Sequence, residues 1–345
     1  MITRAYIVGA DASDSEIVGG LSVRARQILS LRDAGLEVVQ TADDRSINGP
    51  AIVARAGLVW HTALVKRLAR MPIDGGAAVE ISPEMALGPD EFVVPARTVD
   101  ERRAAMALLL RSLDKPTDGL ASRHLHRPIS RQITRLVLPY GVTPNAMTIV
   151  ASLFGFAGVA AAYRGGYANL LAGAALFWIQ NVLDGCDGEI ARLKYLRSRA
   201  GEWLDQVLDD VLNIAFLAAV GFALARDGSR IAWWLTWIAV ASQAIHLAGL
   251  YAALLFRAGG RGSVAVLRWW VGDPDEKKTL GDLTRRDVLS LAYLVFAVPG
   301  LIGLIFAFHV VLTVGAAIVT TVQWIVWGGP GIQADGAGRA GEATA

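Results

Sequence analysis

Charge distribution constrains this chain more than any other feature. Charged residues recur every few positions up to about Arg135, whereas from Ala146 onward long uncharged stretches alternate with short charged ones. About 20 apolar residues at ~1.5 Å per residue cross a ~30 Å hydrocarbon layer, so the second half should fold as a bundle of membrane-spanning helices. Met147 to Tyr163 and Gly165 to Leu183 supply the first two spans. Val211 to Ala225 holds only fifteen uncharged residues, so the third helix must begin earlier and carry acidic residues into the membrane boundary. Ile231 to Phe256 supplies the fourth. Val288 to Phe308 and Val310 to Trp327 supply a fifth and sixth, with His309 between them and Pro299-Gly300 as a competing break.

Composition agrees: of 345 residues 54% are hydrophobic and 19% charged, and a mean hydropathy of +0.42 is too high for an ordinary soluble enzyme. The net charge of +2 sets 33 Lys and Arg against 31 Asp and Glu, which points to no nucleic-acid partner and no acidic tail. The single cysteine, Cys186, excludes an internal disulfide and any multi-cysteine zinc or iron–sulfur site. The apolar run before Asp11 is too short for a secretory signal, so the N-terminus is expected in the cytoplasm.

Residues 1–114 read as a small cytoplasmic α/β domain. Ala5 to Val8, Glu37 to Val39, Ala78 to Ile81 and Phe92 to Val94 are β-prone, and a helix over Val23 to Arg32 is ended by Gly35. Residues 115–140 form a linker, Lys115-Pro-Thr-Asp-Gly119, and then an amphipathic helix with Ile129, Ile133, Leu136 and Val137 on one face and Arg131 and Arg135 off it, suited to the membrane surface. The membrane domain spans 141–328, and 329–345 is a flexible tail. Basic residues set the orientation. Arg123, Arg127, Arg131 and Arg135 precede span one; Arg192, Lys194, Arg197 and Arg199 follow span two; Arg257, Arg261, Arg268, Lys277, Lys278, Arg285 and Arg286 follow span four. The opposite loops offer only Arg164, Arg226 and Arg230, so both termini should be cytoplasmic.

At that cytoplasmic face the chain reads Asp184-Gly-Cys-Asp187-Gly188-Glu-Ile-Ala191-Arg192, eight residues, then Gly201-Glu-Trp-Leu-Asp205-Gln-Val-Leu-Asp209. Asp184, Asp187, Gly188 and Ala191 share one helix face, as do Gly201, Asp205 and Asp209. Two such helices joined by a short loop would gather four carboxylates. That cluster repels itself unless cations neutralise it, and all-oxygen ligands favour Mg²⁺ or Mn²⁺. Gly188, Ala191 and Gly201 leave room either for close packing or for a flat ligand. Asp210 falls outside the pattern and reads as a solvated or pairing neighbour.

The segment Asp184 to Asp209 resembles, without mismatch, the signature of the CDP-alcohol phosphotransferases, and Val142-Thr-Pro-Asn-Ala-Met-Thr148 is similar to that family's motif before its first membrane helix. The resemblance covers roughly 120–328 and implies six membrane helices. It further implies that Asp184, Asp187, Asp205 and Asp209 bind two divalent ions, with Asp209 also the general base. Gly188, Ala191, Arg192 and Gly201, with Thr143, Pro144 and Asn145 nearby, would form the cytidine diphosphate pocket. The implied reaction transfers a substituted phosphate from a CDP-linked donor, CDP-diacylglycerol or CDP-inositol, to an alcohol with release of CMP. Membrane lipid is the surrounding partner, a homodimer is allowed, and a prokaryotic cytoplasmic membrane with a cytoplasmic active site is the expected location.

Gly19 to Val39 resembles the part of sugar-nucleotide cytidylyltransferases that follows their phosphate loop. The domain order is similar to the bifunctional inositol-phosphate cytidylyltransferase and di-inositol-phosphate phosphate synthase proteins. The glycine-rich basic loop is missing, however: Val8-Gly-Ala-Asp-Ala-Ser-Asp-Ser-Glu16 is acidic, so this nucleotidyltransferase-like domain is expected to be catalytically degenerate. A transporter or a non-catalytic scaffold are the competing classes; the one-sided aspartate cluster speaks against the first and the complete signature against the second. His246 and His309 are expected in helix–helix hydrogen bonds or at the interface. Trp233, Trp234, Trp237, Trp324 and Trp327 fit an aromatic belt, and Trp269-Trp270 a lipid or acceptor contact.

Overall fold

The computed structural model describes residues 2–41, 47, 49–71, 78–113, 121–256, 267–268 and 285–332. The Lys115–Gly119 linker, Arg257, Arg261, Lys277, Lys278 and Trp269-Trp270 lie outside them. The chain divides into two compact units, one of residues 1–116, 131–143 and 188–197, the other of 117–130, 144–187 and 198–345.

The first unit is built on a parallel sheet. β1 (Arg4–Val8) pairs with β4 (Glu37–Thr41) on one side and β5 (Ala51–Arg55) on the other, and β7 (Val79–Ile81) extends the order to β4-β1-β5-β7. Strand alternation serves both faces: Ala5, Ile7, Ile52 and Ala54 join Leu31, Leu64 and Leu68 in one core, while Tyr6, Val8, Ala51 and Val53 form another. Helices α1 (Val23–Asp33), α2 (Thr62–Arg70) and α3 (Val99–Arg111) complete the layers. A two-stranded hairpin, β2 (Ile17–Val18) and β3 (Leu21–Ser22), turns at Gly19-Gly20, and β6 (Leu58–Trp60) pairs antiparallel with β8 (Val93–Pro95). The expected strands and helix are present with small end shifts. β5 and β6 are additional; buried on both faces, they carry no polar alternation that sequence patterning could register.

The second half is helical. α4 (Arg127–Val137) leads to α5 (Pro144–Arg164), α6 (Tyr167–Leu193), α7 (Arg199–Arg226), α8 (Arg230–Phe256), α9 (Arg286–Ala297) and α10 (Ile302–Trp327). Among the described residues, α5, α7, α8 and α10 are long and apolar enough to cross a membrane. On α10, Leu304, Val311, Ile318 and Ile325 are all exposed at seven-residue intervals, an outward apolar stripe that suits lipid. The third span begins early and carries aspartates, as expected. The fifth and sixth are divided differently from the expectation: α10 runs unbroken through His309, and the chain turns at Val298–Leu301. Pro299 has no N–H to continue α9, and Gly300 takes φ +79°. α9 therefore has 12 residues, about 18 Å at ~1.5 Å per residue.

Inside the bundle, Phe177 of α6 stacks on Phe216 of α7 at 4.1 Å between centroids, and Tyr293 of α9 meets Phe216 edge-on at 5.2 Å. α5 and α6 approach closely at Gly158 and Gly173, where an added Cβ would stand 3.0 Å and 2.8 Å from backbone atoms of the opposite helix. His246 shares a 2.7 Å hydrogen bond with Thr320, and His309 a 3.1 Å bond with Tyr293, so both histidines join helices. Trp233, Trp234, Trp237 and Trp327 are exposed, but Trp324 donates to the Gly249 carbonyl at 3.1 Å and ties α10 to α8 instead.

α4 differs from a simple amphipathic helix. Its most buried line is His126, Ser130, Thr134 and Leu138, whereas Ile129, Ile133 and Val137 are half-buried and Leu136 is exposed. Thr134 donates to Glu189 at 2.7 Å, and His126, on the π-helical turn Ser122–His126, accepts from Trp178 at 3.1 Å. A largely polar line thus faces protein, and of the apolar stripe only Leu136 is exposed.

Candidate active site

α6 is one continuous helix through Asp184, Asp187, Gly188, Ala191 and Arg192. α7 starts where Ser198 caps it by accepting from the Gly201 amide at 3.1 Å, so Gly201, Asp205 and Asp209 occupy its first three turns. Carboxylate oxygens of Asp184, Asp187 and Asp205 all lie within 4.8 Å of one another. Three anionic groups at that spacing require compensation. Asp187 is buried and accepts a hydrogen bond from Thr148 of α5, whose hydroxyl also reaches the Pro144 carbonyl at 3.2 Å.

Asp205 Oδ1 is buried and has no hydrogen-bond partner among the described residues. A buried acceptor without a donor is costly, and a cluster of hard carboxylate oxygens is the ligand set of a divalent cation. The three aspartates therefore fit such an ion.

Asp209 stands beside Asp184 but outside the trio. Its Oδ1 accepts from Gln180 at 3.2 Å, and its Oδ2 forms an ion pair with Arg286 at the start of α9. Asp210 points elsewhere and accepts a 2.6 Å hydrogen bond from Tyr251, the pairing role expected of it. Thr148, Gln180 and Arg286 are the contacts that sequence spacing did not single out. Thr148 ends the Val142–Thr148 motif, and Arg286 is one of the basic residues that follow the fourth span.

The positions assigned to the nucleotide pocket fall into separate groups. Arg192 lies back along α6, with Nη1 3.7 Å from where a Cβ on Gly188 would sit, so Gly188 is small without being crowded. At Gly201 a Cβ would meet Asn145 Oδ1 and Ser198 Oγ, each at 3.0 Å, which brings the two motifs into contact. Pro144 opens α5 and Thr143 immediately precedes it. Ala191 lies on the last turn of α6, half-buried.

Residues 141–324, more than half of the chain and inclusive of every one of these positions, match the family described as CDP-alcohol phosphatidyltransferase. The chain belongs to this family. The bifunctional IPC transferase and DIPP synthase of Thermococcus kodakarensis is 34% identical over 131 residues, which cover 38% of this chain and 29% of that protein. The protein of the same description from Aquifex aeolicus is 34% identical over 137 residues, 39% of this chain and 30% of its own. The matched stretch thus spans less than a third of these bifunctional relatives. Inner membrane protein YnjF of Escherichia coli is 30% identical over 142 residues, covering 39% of this chain and 64% of YnjF. The crystal structure of Mycobacterium tuberculosis phosphatidylinositol phosphate synthase with CDP-DAG bound aligns over 59% of this chain and 96% of its own, at 23% identity and a TM-score of 0.43. The same enzyme in complex with manganese and citrate aligns at 24% identity and the same TM-score, over 59% of this chain and 90% of its own. The matched stretch contains both halves of the aspartate signature, on α6 and α7, and α7 is also long and apolar enough to cross a membrane.

Proposed function

We propose that this chain is a membrane CDP-alcohol phosphotransferase, which moves a substituted phosphate from a CDP-linked donor to an alcohol, releases CMP and leaves a phosphodiester. The observation that carries this reading is the gathering of carboxylate oxygens of Asp184, Asp187 and Asp205 within 4.8 Å of one another in the family signature, with Asp205 Oδ1 buried and unpartnered among the described residues. Asp184, Asp187, Asp205 and Asp209 would hold two divalent ions, Mg²⁺ or Mn²⁺; when bound, these supply the positive charge that a diphosphate requires. Arg192 adds a fixed cation, and Gly188, Ala191 and Gly201, with Thr143, Pro144 and Asn145, leave room for cytidine. Asp209 takes the proton of the alcohol at a carboxylate oxygen, while Gln180 and Arg286 hold its orientation. The alcohol oxygen bonds to the phosphorus distal to cytidine, the bond from that phosphorus to the bridging oxygen breaks, and the electron pair leaves with CMP.

Six membrane spans, counting α6 and α9, with the aspartates and both termini at the cytoplasmic face of a prokaryotic membrane, complete the proposal. The basic residues before α5 and after α6 support that orientation. CDP-inositol with a polyol-phosphate acceptor suits the domain order of the bifunctional relatives, and CDP-diacylglycerol suits a site open to lipid; a homodimer fits either. The N-terminal loop supports a degenerate first domain. Arg24 donates to the Gly9 carbonyl at 2.6 Å and to Asp14 at 2.7 Å, and Asp14 also accepts from the Gly57 amide at 3.3 Å. A side-chain carboxylate thus takes the cation and the amide that a phosphate would need. Mass spectrometry of membranes offered a panel of CDP donors and alcohols, with Mg²⁺ or Mn²⁺, tests the function. A new phosphodiester that disappears on chelation is expected, and its absence with every donor would overturn the reading.

A further inference from the structure

The first domain keeps a hold on the transferase sequence. Between the two halves of the signature run Leu193 to Ala200, and within them Tyr195 takes φ +55°, the one left-handed non-glycine among the described residues. Its cause is the end of α6: the Lys194 amide bonds the Ile190 carbonyl and the Leu196 amide the Ala191 carbonyl, each at 2.9 Å. The second of these is the six-to-one closure that requires a left-handed residue just past the helix. Glycine would meet that requirement without strain, so a tyrosine must be held there by its side chain.

It is held. The Tyr195 hydroxyl shares a 3.0 Å hydrogen bond with Thr62 Oγ1, at the first residue of α2, and lies against Arg26. Arg26 is itself buried and fixed by donation to the Val18 and Gly19 carbonyls at 2.9 Å. Lys194 is gripped as well. Its ammonium donates to the Val142 carbonyl at 3.0 Å, and its stem packs on the hairpin turn so closely that a Cβ on Gly20 would stand 2.6 Å from Lys194 Cε. These residues all belong to one compact unit.

We propose that Tyr195 is a positioning residue, and that the α/β domain serves the transfer reaction as a clamp on the loop after Arg192 and not as a second catalyst. The closure that Tyr195 permits ends on the Ala191 carbonyl, so the clamp fixes the last turn of α6, which carries Ala191 and Arg192. Its consequence for donor binding rests on the function proposed above; the clamp itself does not.

The test uses Tyr195→Phe, Thr62→Val and their combination in the full chain in membranes. Hydrogen exchange over residues 190–197, measured without substrate, should quicken in each single variant and no further in the double, because one hydrogen bond is lost in all three. KM for the CDP donor should rise about fivefold, the ratio that one hydrogen bond carries, with kcat within about twofold of wild type and an unchanged Tm. Tyr195→Gly, which relieves the backbone, should keep stability but share the KM defect. Unchanged exchange in both single variants, or additive effects in the double, would overturn the clamp. The predicted exchange pattern in a protein that transfers nothing from any donor would support the clamp and remove the transfer reading.

Discussion

Asp209 is the residue on which the proposed chemistry turns. With Gln180 on one oxygen and Arg286 on the other, Asp209→Asn is predicted to lower turnover by about 10²- to 10⁴-fold while leaving CDP-donor binding measurable. Asp205→Asn should weaken metal-dependent donor binding itself; equal donor affinity with and without that change, in equilibrium binding at fixed Mn²⁺, would remove Asp205 from the ligand set. A pH dependence follows in the first domain. Arg67, with help from the Gly88 amide, holds the Glu91 carboxyl below its ordinary 4.5. A depressed carboxylate stabilises the folded state above its unfolded value and loses that contribution as pH falls. The thermal stability of the domain should therefore fall below about pH 4.5, and Glu91→Gln should flatten that slope; an unaltered slope would refute the assignment. Spacing alone exposed the four aspartates because they repeat along two adjacent helices. It could not expose Thr148 or Arg286, whose contacts join helices distant in sequence and follow no period.

The same division between local and distant information recurs in the helices. α5 through α8 are legible from uncharged runs, since hydropathy is a property of the segment itself. The α9–α10 break is not, because His309 is the residue that interrupts the apolar run, whereas Tyr293 satisfies it inside the bundle and Pro299-Gly300 supplies the turn. Helix crossings are equally invisible until paired. Nothing in the sequence marks Gly158 or Gly173 as a crossing point, yet a Cβ at Gly173 would come within 2.8 Å of the Ala162 nitrogen. Gly173→Val is predicted to destabilise the bundle by about 1–3 kcal/mol through overpacking, read as a lower unfolding midpoint in detergent. Gly315→Val, where nothing lies within 4 Å, should change it little and serves as the control.

For the whole molecule the two halves carry different chemical expectations. The first domain keeps a parallel sheet, but Asp14 and Arg24 close its loop on themselves. The full chain is thus predicted to release no diphosphate from CTP with any polyol phosphate, and clear CTP-dependent release would make the protein bifunctional. The acidic Val8–Glu16 loop, on which the proposed degeneracy of that domain rests, is legible in the sequence; the grip on Tyr195 is not, because left-handed geometry leaves no mark in the sequence when the residue is not glycine. α4 carries a consequence of another kind. We propose that α4, with a polar edge on protein, Ile129 and Ile133 half-buried and Leu136 exposed, rides at the membrane surface as a float, moored to α6 by the Ser130–Cys186 contact and by Trp178 through the adjoining His126. On that proposal the waterline of the aspartates follows how deeply α4 rides in the headgroups. Thinning or swelling the bilayer should trim the enzyme up or down like ballast, and a spin label at Ile133 would read the draught.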